Sequence, residues 1–221
     1  MTNRARRPPA RVWVDLLRNA SRVLAGTDAN DVILFGSQAM SVYTQRALAS
    51  KDLDLIVPGI TLTVLDQLCD TLPHQGKVRP TFGFEVHDYL GRRYPVGKIY
   101  LRHTSGFPMV VEFFQTFLGH PVTMLAPFLT FKDKWETRVQ VMVPEAIIGT
   151  RLAFRPPERI TPFNAERLDR FIRNVEGQVD WVKVNTFIDT FGLRAIISEN
   201  LAQLRTKRIR IREASKNLSW P

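Results

Sequence analysis

The stretch FGSQAMSVYTQRALASKDLDLIV, residues 35–57, decides the fold. It begins where the apolar run DVILF meets Gly36-Ser37, and thirteen residues then separate Ser37 from Lys51. It closes on a second apolar run that carries Asp52 and Asp54. Glycine stops the first run as a short strand, and serine is a good helix N-cap, so a helix is expected over residues 37–48. LDLIV reads as a strand stopped by Pro58-Gly59. On a strand, positions i and i+2 share a face about 6.6 Å apart, so the Asp52 and Asp54 carboxylates converge. Two close carboxylates repel, and one would protonate unless a counter-charge sits between them.

A divalent cation supplies that charge. Magnesium takes oxygen ligands, commonly a few carboxylates with water and phosphate, and a pair of ions about 4 Å apart suits phosphoryl transfer. A third carboxylate from a neighbouring strand would complete such a site. Glu112 in VVEFF is one candidate, flanked on its own strand face by Val110 and Phe114; Glu85 in FGFEVHDY is the alternative. At the turn before the helix, backbone N–H groups and the helix dipole favour a phosphate; Gly36 allows close approach and Ser37 adds a hydroxyl donor.

Outward from this stretch, RVWVDLLRNASRVLAG has apolar positions at helical spacing, and TVLDQLCDTL is a further helix. Residues 77–115 are rich in aromatic and β-branched side chains broken by glycines, and predict three strands, the last being PMVVEFFQ. TRVQVMV alternates and predicts another. After Pro144 helical patterns take over: PEAIIGTRLAF, TPFNAERLDRFIRNV, DWVKVNTFIDTF, and one long helix over residues 193–218. The expected class is α+β: a mixed sheet with helices in residues 1–143, opened by a basic arm at 1–10, then a helical bundle in residues 144–221.

The order strand, Gly36-Ser37, helix, strand with Asp52-Leu53-Asp54, and a later strand acid at Glu112 resembles the DNA polymerase β-like nucleotidyltransferase superfamily. Within it, residues 142–172, MVPEAIIGTRLAFRPPERITPFNAERLDRFI, follow the layout of the toxin-like AbiEii/MenT type. The resemblance implies that Asp52, Asp54 and Glu112 hold two Mg²⁺ ions, with Mn²⁺ as the alternative. It implies that Gly36 and Ser37 hold the NTP triphosphate and that Arg151 steadies its phosphates. The implied reaction is attack of an acceptor hydroxyl on the α-phosphate with release of pyrophosphate, and the toxin-like type implies an antitoxin protein as partner. Arg151 stands where the family has lysine, which is not an equivalent exchange. Asp169 matches the family's helical acid, or else forms an ion pair on its own helix.

Charge points to the acceptor. Residues 1–22 carry six arginines and one aspartate; residues 23–150 carry 11 basic and 12 acidic groups; residues 151–221 carry 14 basic and 8 acidic. Basic ends around a near-neutral middle suit a polyanion; together with this charge, the toxin-like resemblance implies RNA, particularly a tRNA 3′ end, as the acceptor. RTKRIRIR, residues 205–212, and NRARRPPAR near the start are either phosphate contacts or solvated surface. A single cysteine, Cys69, excludes an internal disulfide and a thiolate zinc site. His74, His87, His103 and His120 lack metal-ligand spacing. No apolar run reaches membrane-spanning length and the start lacks a signal peptide's apolar core, so a cytoplasmic location is expected. Two other functions compete: a catalytically inactive nucleic-acid- or protein-binding module, and an aminoglycoside-type nucleotidyltransferase acting on a small molecule.

Overall fold

The computed structural model describes residues 7–29, 31–76, 78–153, 162–209 and 211–218. Most of the basic arm, the 154–161 linker and Arg210 of the basic run lie outside them. The chain divides into two compact units, Met1–Val141 and Met142–Pro221.

The first unit is built on a seven-stranded mixed sheet. Its strands are β1 (Ile33–Leu34), β2 (Asp52–Ile56), β3 (Thr81–Tyr89), β4 (Arg92–Arg102), β5 (Pro108–Phe114), β6 (Leu129–Lys134) and β7 (Thr137–Met142), in the order β3-β4-β5-β2-β1-β7-β6. β2 runs parallel to β5 and antiparallel to β1, and β4 is antiparallel to both β3 and β5. One face of the central strands is apolar. Leu53 and Leu55 of β2, Val111 and Phe113 of β5 and Ile99 of β4 are fully buried. Helices α1 (Ala10–Leu24) and α3 (Leu62–Thr71) pack against each other and on the sheet, α1 on β2 and α3 on β3 and β4.

The spacing of Val12, Trp13, Leu16, Leu17, Ala20 and Leu24 explains why α1 forms: all six are buried along one stripe. Full burial of each larger side chain is worth about 1.5–3 kcal/mol. The Thr61 hydroxyl caps α3 by accepting from the Val64 N–H at 3.3 Å. Gly97 lets α3 sit close, since a Cβ there would lie 3.1 Å from Cδ1 of Leu65.

Three local expectations are corrected. Helix α2 (Gly36–Val42) starts one residue before Ser37, with Phe35 at the cap and no side-chain capping bond. It also ends well short of residue 48, because the chain folds back: the Leu48 N–H donates to Oγ of Ser41 at 2.9 Å, and the Leu48 carbonyl accepts from Nε1 of Trp13 at 2.8 Å. β6 is a strand that the sequence pattern does not predict. Its Phe131, Lys132 and Asp133 are all exposed, so it carries no apolar alternation to read.

The second unit is helical: α4 (Pro144–Ala153), α5 (Pro162–Val175), α6 (Trp181–Thr190), α7 (Arg194–Thr206) and α8 (Arg212–Asn217). α4 is its centre, buried along nearly its whole length and packed on α5, α6 and α7. Its buried Glu145 accepts from the Asp180 N–H at 3.0 Å, and Asp180 in turn caps α6 through Val182 and Lys183. Asn200 of α7 donates to the Leu152 carbonyl at 2.6 Å, satisfying an end of α4. The single helix expected over 193–218 is broken. Arg208 adopts φ +57°, and the Ile209 N–H closes the helix end onto the Leu204 carbonyl at 2.8 Å.

Candidate active site

The face of the sheet opposite α1 and α3 carries the sequence-derived acids. In the parallel pairing of β2 with β5, Asp54 lies directly opposite Glu112 and Asp52 opposite Val110. In the antiparallel pairing of β5 with β4, Glu112 lies opposite Lys98. Paired residues share a face, so Asp54, Glu112 and Lys98 form a row across three strands, with Asp52 one step along β2. Glu85 sits on β3, three strands from β2 or about 14 Å at the usual strand spacing, against about 5 Å for Glu112. Of the two candidates for third acid, Glu112 is the one set beside the aspartates.

Local bonds hold the segments that carry these side chains. Asp54 is buried, while Asp52 is exposed at the strand's start. The Asp54 carbonyl accepts from the Phe35 N–H at 3.0 Å, which ties the start of α2 to β2. Gly36 then turns the chain at φ +64°, and a Cβ there would lie 2.0 Å from Oδ2 of Asp54. Only glycine lets this turn press against the carboxylate. Ser37 follows on α2, half-buried.

Gln38, almost fully buried, ties α2 to the start of β2 a second time. Its Nε2 donates to Oγ of Ser50 at 2.9 Å and, over a short contact, to the Asp52 carbonyl. Ser50 Oγ reaches Oδ1 of Asp52 at 3.3 Å. Lys98 holds Glu112 from the other side. Its ammonium lies 3.0 Å from Oε1 of Glu112 and 2.8 Å from Oε2 of Glu85, whose other oxygen accepts from the Tyr100 hydroxyl. Burial works against the Lys98 charge, but the bonds to Glu85 and then Glu112 outweigh it and raise the pKa above its ordinary value. The same Lys98 bond, then the Tyr100 bond, lowers that of Glu85.

Lys98 and Gln38 are two residues of this site that the sequence motifs do not mark. A signal for Lys98 was there: it interrupts the apolar face of VGKIYL as Glu112 interrupts that of VVEFF, with the opposite sign. Gln38 carries no such mark. Arg151 lies in the last turn of α4, half-buried, in the second unit. Asp169 is largely buried on α5, with Arg173 one turn on at 3.2 Å.

The oxygen donors match in kind what a hard divalent cation takes. Asp52 and Asp54 share a face, and Glu112 adjoins Asp54. As the side chains stand, no three His, Cys, Asp or Glu groups among the described residues close on a single ion position; Glu112 is turned to Lys98. Nor, among them, is any helix long and apolar enough to cross a membrane.

No family model matches the chain, and no curated protein matches it in sequence. Solved structures do match in fold. The antibiotic-resistance factor ANT(2'')-Ia is similar over 86% of this chain and 96% of its own, at 15% identity and a TM-score of 0.53. The chain has a nucleotidyltransferase fold. An antigenic nucleotidyltransferase-like protein from Paracoccidioides brasiliensis overlaps 96% of this chain and 94% of its own, at 14% identity and a TM-score of 0.46. MenT4, a nucleotidyltransferase toxin from Mycobacterium tuberculosis H37Rv, overlaps 90% of this chain and 68% of its own, at 16% identity and 0.44. These two overlaps are looser, and the nucleotidyltransferase fold rests on the first.

Proposed function

We propose that this protein is a magnesium-dependent nucleotidyltransferase that transfers NMP from an NTP to an acceptor hydroxyl of RNA, at a tRNA 3′ end. The observation that carries the reading is the register of β2 against β5, which sets Glu112 beside Asp54 on the face that Asp52 shares. Asp52, Asp54 and Glu112 would hold the Mg²⁺, or Mn²⁺ in its place. Bound there, the metal would draw charge from the triphosphate and make the acceptor hydroxyl easier to deprotonate. The Gly36 turn and the Ser37 hydroxyl would receive the triphosphate; a phosphate role for Arg151 rests on the family resemblance alone. The acceptor oxygen forms its bond to the α-phosphorus as the bond to the β-phosphate oxygen breaks. Pyrophosphate leaves, and Glu112 is the group that would take the hydroxyl proton.

RNA is favoured over a small cationic acceptor because residues 151–221 carry 14 basic groups against 8 acidic. A toxin-like role and an antitoxin partner rest on the layout of residues 142–172. A second reading is a binding module of the same fold without chemistry, and the ion pair of Lys98 with Glu112 favours it. Calorimetric titration with Mg²⁺ and each of the four NTPs separates the two: an enzyme binds at least one NTP in a metal-dependent way, and a chemically silent module binds none.

A further inference from the structure

Lys98 is a charged side chain where the proposed site needs a carboxylate free to turn. Its side chain is 12% exposed and that of Glu112 is 19% exposed, so water screens their ion pair poorly. The same ammonium has a second anchor. Glu85 lies 2.8 Å away, its side chain is 49% exposed, and the Tyr100 hydroxyl holds its other oxygen. The two carboxylates flank the ammonium differently: Glu112 stands opposite Lys98 in the β4–β5 pairing, and Glu85 lies on β3 two places beyond Lys98's partner there, Gly83. Gly83 puts no side chain between them. Three strands thus present one cation to two acids, only one of which adjoins Asp54.

The ammonium sits on Oε1 of Glu112, and a divalent ion taking either oxygen of that carboxylate would be repelled by it at close range. We propose that Lys98 is a positioning residue of this site: its ammonium competes with a divalent cation for Glu112, and Glu85, steadied by Tyr100, is the seat that takes the ammonium when the cation holds Glu112. This rests on the proposed metal-dependent function and adds a regulator of cation affinity to it. Lys98 sets how much cation the site needs, and Glu85 tunes that setting from outside the ligand set.

The test is Mn²⁺ binding, read from the loss of the free-ion electron paramagnetic resonance signal, in the full chain and in Lys98→Met, Glu85→Gln and Asp54→Asn. Lys98→Met should bind Mn²⁺ about tenfold more tightly, because a positive charge beside the ligand is gone. Glu85→Gln, at a half-exposed position and checked for an unchanged melting temperature, should bind about threefold more weakly, because the ammonium is left to Glu112 alone. Asp54→Asn should lose binding. Binding lost in Asp54→Asn but unchanged in both Lys98→Met and Glu85→Gln would overturn the role of Lys98 and leave the metal site standing. Should Lys98→Met fail to fold, unchanged or tighter binding in Glu85→Gln overturns it. Binding undiminished in Asp54→Asn would overturn the metal site, and the role of Lys98 with it.

Discussion

Gly36 and Asp54 touch so closely that a methyl group on Gly36 would lie 2.0 Å from the Asp54 Oδ2. Gly36→Ala should therefore act twice. The positive φ alone costs about 1–2 kcal/mol for a residue with a Cβ, and the clash pushes the carboxylate out of its row with Glu112. We expect a lower melting temperature and at least a tenfold loss of Mn²⁺ affinity. An alanine variant that melts and binds like the parent would show that the close approach is incidental.

Gln38 is the buried link between the glycine turn and the strand of the two aspartates. Gln38→Leu should leave the Asp52 carbonyl and the Ser50 hydroxyl short of a donor, at a cost of about 1–3 kcal/mol. Urea unfolding measures the loss. NTP affinity should fall with it, because Asp52 is no longer held at the mouth of the strand; a stability loss with full NTP affinity would make Gln38 a packing residue only.

In the second unit, Gly149 of α4 lies against the ring of Phe187, where a Cβ would come 2.5 Å from Cδ1. Gly149→Ala gains about 1 kcal/mol of helix propensity. Overpacking costs about 1–3 kcal/mol, so the net change should be destabilising. A stabilised variant in denaturant titration would contradict this packing.

Cys69 is buried on α3, and burial pushes its thiol up to about 11, with Arg79 pulling down and Asp66 and Asp70 pushing up. The folded chain keeps this proton where the unfolded chain releases it. That contribution to stability is fully present below the ordinary thiol value of 9.0 and is lost as pH rises towards 11. At pH 8 the native thiol should react with Ellman's reagent at least about 100-fold more slowly than the unfolded chain. Equal rates would show that α3 opens readily.

The acids were legible in the sequence because each breaks an apolar strand pattern, and Asp52 and Asp54 do so at the two-residue period of one face. The α+β class and the helical tail were legible from the change of period at Pro144. Other features depend on partners distant in the chain. Nothing near Glu112 says that β5 lies parallel to β2, or that Lys98 arrives on its other side. α2 stops at Val42 because Ser41 and Trp13 hold Leu48, which residues 37–48 alone do not reveal. The break after Thr206 turns on Arg208 taking a left-handed conformation that its residue type does not advertise. β6 was hidden because an edge strand can be charged and still pair.

The most direct test of the central claim is incubation of the chain with total RNA, Mg²⁺ and each of the four α-labelled NTPs, beside Asp54→Asn checked for intact fold. Label from at least one NTP should enter RNA with release of pyrophosphate, and Asp54→Asn should transfer none. No label from any NTP, or equal labelling by Asp54→Asn, would contradict the claim.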